Sequence, residues 1–328
     1  MVQAQDKPAD PNLTPEAREV LRYLRSIYGK KSIWGQATNT GLGIGEYPNI
    51  VAAHKASGKF PAMVGIDLYG WNPPHWGENY RAVLQAYIDD TIKWWRVRKG
   101  LVTMHYHWGN PMRPDGTAWE GQTGKVDVGK MVTPGTAENK AAMEDLRKTA
   151  DYMQQLADAR VPVLFRPLHE IDGGWFWWTD REKPENTAAL WRMMFNYLVK
   201  DRKLHNLIWV YSAGVQKDPA EYRKRFYPGA QYVDIAGVDI YSEHANQDYT
   251  KDAYRNYYEV MKTVAPGKML ALTECNAVPN PEVMRKEGPV WLWCLTWFEP
   301  NKDNPPEWVK RVANDPLMIT LDKLELKR

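Results

Sequence analysis

Val161-Pro162-Val163-Leu164-Phe165-Arg166 is a short apolar run of strand character, and what stands on either side of it decides the fold. A helical pattern over 137–159 leads into the run and another over 184–200 follows it, so it is one beat of an alternation. Working outward, strand-like runs recur at 32–36, 61–67, 100–107, 206–211, 233–241, 268–274 and 290–297, with further helical stretches at 13–28, 79–98 and 249–264. Strands separated by helices predict a parallel sheet. Eight strand-then-helix units predict an α/β fold closed into a (β/α)8 TIM barrel, which a chain of 328 residues accommodates as a single domain. The expected division is a disordered or extended lead over 1–12 and a catalytic barrel over 13–328. Thr14 as N-cap, Pro15 at the first helical position and Gly29 past the end mark the opening helix.

Parallel barrel strands end at one rim, so residues at their tails converge however far apart they stand in sequence. The tails here carry Asp67 and Tyr69, His105 and His107, His169 and Glu170, Asp239 and Tyr241, Glu274, and Trp297. Glu170 and Glu274, from strands four and seven, are expected to face each other across the mouth. Arg166 and Tyr241 stand where they can hydrogen-bond and orient a carboxylate. Glu170 is followed at once by Trp175-Phe176-Trp177-Trp178. A carboxylic acid that protonates a leaving oxygen, a second carboxylate that supports an oxocarbenium-like carbon, and flat rings for pyranose faces are the parts of glycoside cleavage. One glutamate after a strand ordinarily caps a helix or faces solvent; the reading rests on two of them, one inside a tryptophan cluster. The irregular segment 108–135 follows strand three, where a loop of that length is expected to build the site.

Composition narrows the partner. A net charge of +3, from 43 basic and 40 acidic residues with no dense Lys/Arg cluster, gives no footprint for nucleic acid. Sixteen Trp and eighteen Tyr beside six Phe favour rings that join an apolar face to a hydrogen-bonding edge, which suits a neutral sugar. No apolar run is long enough to span a bilayer, and the N-terminal segment has no charged-then-apolar signal pattern. Val2-Gln3-Ala4-Gln5 has the small, polar character found around a signal cleavage site, so a secreted, periplasmic or cell-surface location is expected. Cys275 and Cys294 are expected to be buried free thiols. His105-Tyr106-His107 raises a rival metal chemistry, since two imidazoles share a strand face. The further ligands that barrel metallohydrolases draw from strands five, six and eight are missing, so neither a metal nor another cofactor is expected.

At these residues the chain resembles glycoside hydrolase family 26, the β-mannanase family of a large barrel clan. The resemblance spans nearly the whole chain and rests on Arg166-Pro167, His169-Glu170 and the run Trp175 to Trp178, with histidine before the acid/base where most of the clan has asparagine. It implies that Glu170 is the general acid/base and Glu274 the nucleophile of a retaining double displacement. It implies further that Tyr241 holds the nucleophile and that His107, His169, Trp119, Trp175 and Trp297 bind the substrate. Asp172 stands where these enzymes commonly have asparagine, a change expected to alter the charge beside the acid/base. The implied function is a retaining endo-β-1,4-mannanase, a monomer acting on β-mannan, glucomannan or galactomannan. A mixed-linkage β-glucanase, a β-xylanase, an exo-acting mannobiohydrolase and a non-catalytic glycan-binding barrel remain as alternatives.

Overall fold

The computed structural model describes residues 7–38, 47–68, 80–113, 115–120, 126–214, 217–241, 251–297 and 303–327. Tyr69 and the glycine-rich segment 41–45 lie outside them. Eight parallel strands, β1 (Ser32–Ala37), β2 (Met63–Asp67), β3 (Leu101–Tyr106), β4 (Val163–Pro167), β5 (Leu207–Ala213), β6 (Ile235–Ile240), β7 (Met269–Cys275) and β8 (Trp293–Thr296), close into a barrel. Each strand pairs with its neighbour in sequence, and β1 pairs with both β2 and β8. The fold is therefore a (β/α)8 TIM barrel. A ninth strand, β9 (Met318–Ile319), runs parallel to the first residues of β1, below the point where β2 begins. Two residues carry too little pattern to be read as a strand from sequence.

Every residue of these strands is buried, because helices cover the outside while side chains fill the interior. Leu295 of β8 lies over Gly35 and Gly65, where an added Cβ would come within 2.8 and 2.9 Å of its methyls. A large side chain opposite two absent ones packs the closed interior.

Around the barrel run α1 (Pro15–Ile27), α2 (Pro48–Ser57), α3 (Tyr80–Lys93), α4 (Val128–Met131), α5 (Ala137–Asp158), α6 (Pro184–Phe195), α7 (Ala220–Arg223), α8 (Lys251–Val264), α9 (Pro281–Glu287) and α10 (Pro306–Asn314). The Thr14 hydroxyl accepts from the Ala17 N–H and caps α1. The sequence patterns omit α2, α9 and α10, each of which opens on proline. Proline breaks a helix interior but suits its first turn, where the missing N–H has no intrahelical partner to lose. The lead is fastened from Ala9 onward: the Ala9 N–H donates to Asp234 at 2.7 Å, and buried Asp10 pairs with His205 at 2.8 Å. Among the described residues no helix is long and apolar enough to cross a membrane.

Candidate active site

The tails of β3, β4, β6, β7 and β8, with described residues of the segments that follow β3 and β4, line a cleft of about 600 Å³. Its walls hold Glu170, Glu274, His107, Trp119, His169, Trp175, Tyr241 and Trp297 together with Phe176 and Asp239. The structure thus brings all eight residues singled out in the sequence into one cavity.

Glu274 lies near the end of β7 and is 3% exposed. Both of its oxygens are held. Arg166 Nη2 donates to Oε1, and the Tyr241 hydroxyl donates to Oε2 at 2.6 Å. Burial and the Glu274 charge push the Tyr241 phenol well above its ordinary range, so it stays a donor. Arg166 is shared: its Nη1 donates to Asp239 at 2.7 Å. Behind the pair, the Ser212 hydroxyl donates to Asp239 at 2.9 Å and lies 3.0 Å from the Thr273 hydroxyl. One guanidinium therefore serves two buried carboxylates. Burial raises Asp239 to about 7, against the opposing pull of Arg166, and the Glu274 charge adds to the rise.

Glu170 is set differently. The chain leaves β4 through two residues in the left-handed region, Leu168 at φ 47° and Glu170 at φ 49°. Non-glycine residues there cost about 1–3 kcal/mol each. The pairing that holds them includes Ile171 N–H to Ser212 O at 3.1 Å and Gly173 N–H to Glu170 O at 2.8 Å. The break ends strand alternation, so Arg166 serves the β6 and β7 carboxylates while Glu170 rises over the cleft. The carboxylate of Glu170 receives the Trp175 indole N–H at 2.6 Å. Burial and then the charges of Asp239 and Glu274 push its proton affinity up to about 9, against weaker opposition from Trp175 and Arg166. Glu170 is consequently a protonated acid at neutral pH.

The opposite wall is a chain of imidazoles. Asp67 Oδ2 lies 2.8 Å from His107 Nδ1, and His107 Nε2 lies 3.1 Å from His169 Nε2. The Asp67 carboxylate can only accept, which holds a proton on His107 Nδ1 and leaves Nε2 to accept from His169 Nε2–H. Burial, then the neighbouring His107 and Arg166, hold His169 well below its usual range and therefore neutral. His105 lies beneath, 4.7 Å from the Trp297 ring centroid to centroid. Trp119, 58% exposed, stands on the loop after β3 with its ring 4.6 Å from Phe176.

Asp172 is fully buried, and its charge is met locally. Arg223 Nε donates to Asp172 Oδ2 at 2.5 Å, while the Gly214 N–H donates to Oδ1 at 2.8 Å and the Gly214 carbonyl accepts from Arg223 at 2.7 Å. A Cβ at Gly214 would lie 3.1 Å from the Trp175 ring, so this clamp fixes the backbone on which Trp175 rests. Sequence reasoning singled out Asp172 but not its partner. Arg223 stands on a short helix 51 residues away and has no local signal. Asp239 and Phe176 also line the cleft without having been assigned a role; for Phe176 the signal was its place within the tryptophan run. Cys275 and Cys294 are buried and free.

The chain matches the family description Glycosyl hydrolase family 26 over residues 9–323. It is 30% identical to a mannan endo-1,4-beta-mannosidase of Thermothelomyces thermophilus, covering 96% of this chain and 63% of that protein. It is 27% identical to mannan endo-1,4-beta-mannosidase B of a Piromyces species, over 88% of this chain and 48% of that protein. The chain thus spans less than two thirds of either relative. Among solved structures, a beta-mannanase from a symbiotic protist of the termite Reticulitermes speratus, complexed with gluco-manno-oligosaccharide, superposes with a TM-score of 0.86 at 29% identity and covers each chain completely.

Proposed function

The chain belongs to glycosyl hydrolase family 26, and from that premise we propose that it is a retaining endo-β-1,4-mannanase acting on β-mannan, glucomannan or galactomannan. The observation that carries the proposal is the contrast between two carboxyl groups in one cleft: Glu274 held by a cation and a phenol, Glu170 holding its proton. Glu274 attacks the anomeric carbon as Glu170 Oε protonates the departing oxygen. Forming the ester removes the Glu274 charge, and with it part of the repulsion that kept Glu170 protonated. The Trp175 N–H, which favours the ionised form, then supports Glu170 as the base that activates water. His107, His169, Trp119, Trp175, Tyr241 and Trp297 are assigned to sugar binding by their place in the walls. A polysaccharide substrate suits export, which the small, polar N-terminal segment also suits.

The test is to trap the covalent intermediate with a 2-deoxy-2-fluoro mannosyl donor bearing an activated leaving group, then to locate the adduct by peptide mass spectrometry. A sugar on the peptide containing Glu274 is expected; an adduct elsewhere, or none under conditions of turnover, would refute the assignment. Product profiles on mannohexaose, glucomannan, barley β-glucan and xylan then test the substrate class, with internal cleavage of the first two expected.

A further inference from the structure

We propose that Asp67, His105 and His107 form a site for a zinc-like transition-metal dication beneath the cleft floor, and that filling it inhibits the enzyme. The register of the barrel assembles the site. Asp67 on β2 pairs with His105 on β3, and His107 two residues on returns to the same side of the strand. One donor atom from each lies within 4.8 Å of the others. His107 Nδ1 is 2.8 Å from Asp67 Oδ2, and His105 Nε2 is 3.7 Å from Asp67 Oδ1. A tetrahedral metal with bonds of about 2.0–2.1 Å separates its ligands by roughly 3.3 Å, between those two values. Small side-chain shifts would complete the set.

His105 supplies the second, independent observation. It is 1% exposed, neither ring nitrogen has a hydrogen-bond partner among the described residues, and Nε2 is aimed at the Asp67 carboxylate. Hydrogen bonding within the protein leaves that imidazole unused. Two imidazole nitrogens and one carboxylate oxygen suit zinc, cobalt or nickel, whereas calcium and magnesium want more oxygens. His107 also has the outer partner that orients a ligating imidazole, since its Nε2 faces His169 at 3.1 Å. The sequence reading looked for the further ligands on strands five, six and eight; the carboxylate comes from strand two.

Metal binding at His107 Nδ1 moves that ring's proton to Nε2. His107 then donates to His169, whose own proton shifts from Nε2 to Nδ1, so no proton is lost overall. The hydrogen bond between two residues that line the cleft is reversed, and a dication is placed under a site whose acid must stay protonated. The binding site is independent of the reaction; the inhibition rests on the hydrolytic reading above.

The experiment takes the full chain, stripped with EDTA and freed of chelator, and titrates it with zinc by calorimetry and with cobalt by visible spectroscopy, following mannan hydrolysis in parallel. One equivalent of zinc, a four-coordinate cobalt spectrum, activity falling as the site fills, and recovery with EDTA are expected. His105→Ser, with His105→Gln as a second variant should the first misfold, is expected to keep metal-free hydrolysis and weaken zinc binding by at least about tenfold. Absence of stoichiometric binding, or binding unchanged in a folded His105 variant, would overturn the site. Binding that leaves hydrolysis untouched would overturn the inhibition while keeping the site, and neither result bears on the two glutamates.

Discussion

The end of β7 and the loop after β4 each present one glutamate to the same cleft, yet the two regions are built on opposite principles. Around Glu274 the barrel supplies charge: a buried guanidinium and a phenol hold both carboxylate oxygens. Around Glu170 it supplies apolar rings, one indole N–H and two nearby negative charges, with no cation bonded to it among the described residues. Of the three carboxyl groups in the cleft, Asp239 and Glu274 are bonded to Arg166, and Glu170, which is not, keeps its proton. Identical side chains are thus set differently: Glu170 keeps the proton that the acid of a double displacement needs at its start, while Glu274 is oriented by two donors.

The strongest way to break this comparison is to remove each carboxyl group. Glu274→Ala should lower kcat/KM on mannan by at least roughly 10⁴-fold, because no covalent route remains. Glu170→Ala should cost about 10²–10⁴-fold on mannan but far less in the first step of an aryl mannoside whose leaving group needs no proton. Stopped-flow release of the aryl group, compared with steady-state rates, checks both; equal losses on the two substrates would erase the distinction.

Arg223 tests whether the acid/base side depends on a charge of its own. Arg223→Met leaves Asp172 as an unpaired buried carboxylate and should destabilise the fold by about 3–5 kcal/mol, whereas Asp172→Asn combined with Arg223→Met should recover most of that loss. Denaturant unfolding of the single and double variants measures the coupling, and simple additivity would mean that the pair is not coupled. On the other side, Tyr241→Phe removes one charge-assisted hydrogen bond from Glu274, worth about 1.5–3 kcal/mol, so kcat should fall roughly 10- to 100-fold without loss of folding. The smallest effect concerns Trp175. Its N–H favours ionised Glu170, so Trp175→Phe should raise the alkaline limb of kcat/KM on mannan by about one pH unit. The sign follows from the role: an acid works only while protonated, and the limb marks where it loses its proton. A downward shift would contradict the assignment.

The sequence made the barrel legible because its signal is repetitive. Eight apolar runs separated by helices survive an error of two residues at any end, as at β4, whose apolar run starts at Val161 while the ladder starts at Val163. The carboxylates were legible because they sit at strand tails, where topology alone brings them together. Helices opened by Pro48, Pro281 and Pro306 were hidden by their length, since at 10, 7 and 9 residues they carry about two to three turns of pattern, whereas the longer helices opened by Pro15 and Pro184 were legible. The left-handed turns at Leu168 and Glu170 were hidden too, since nothing in Pro167-Leu168-His169-Glu170 announces a positive φ at non-glycine residues. Arg223 shows the remaining limit: its partner is set by tertiary packing 51 residues away, and isolated arginines on short helices are ordinarily surface residues.

The most direct test of the division of labour is azide rescue of the two alanine variants on an activated aryl mannobioside, with the configuration of each product read by NMR. Azide should restore turnover to Glu170→Ala and give the β-glycosyl azide, because Glu274 still forms the glycosyl-enzyme and the small anion enters from the vacated face without a base. Glu274→Ala should give only the α-azide, by single displacement. The configurations exchanged between the two variants would assign the acid and the nucleophile the other way round and contradict the account.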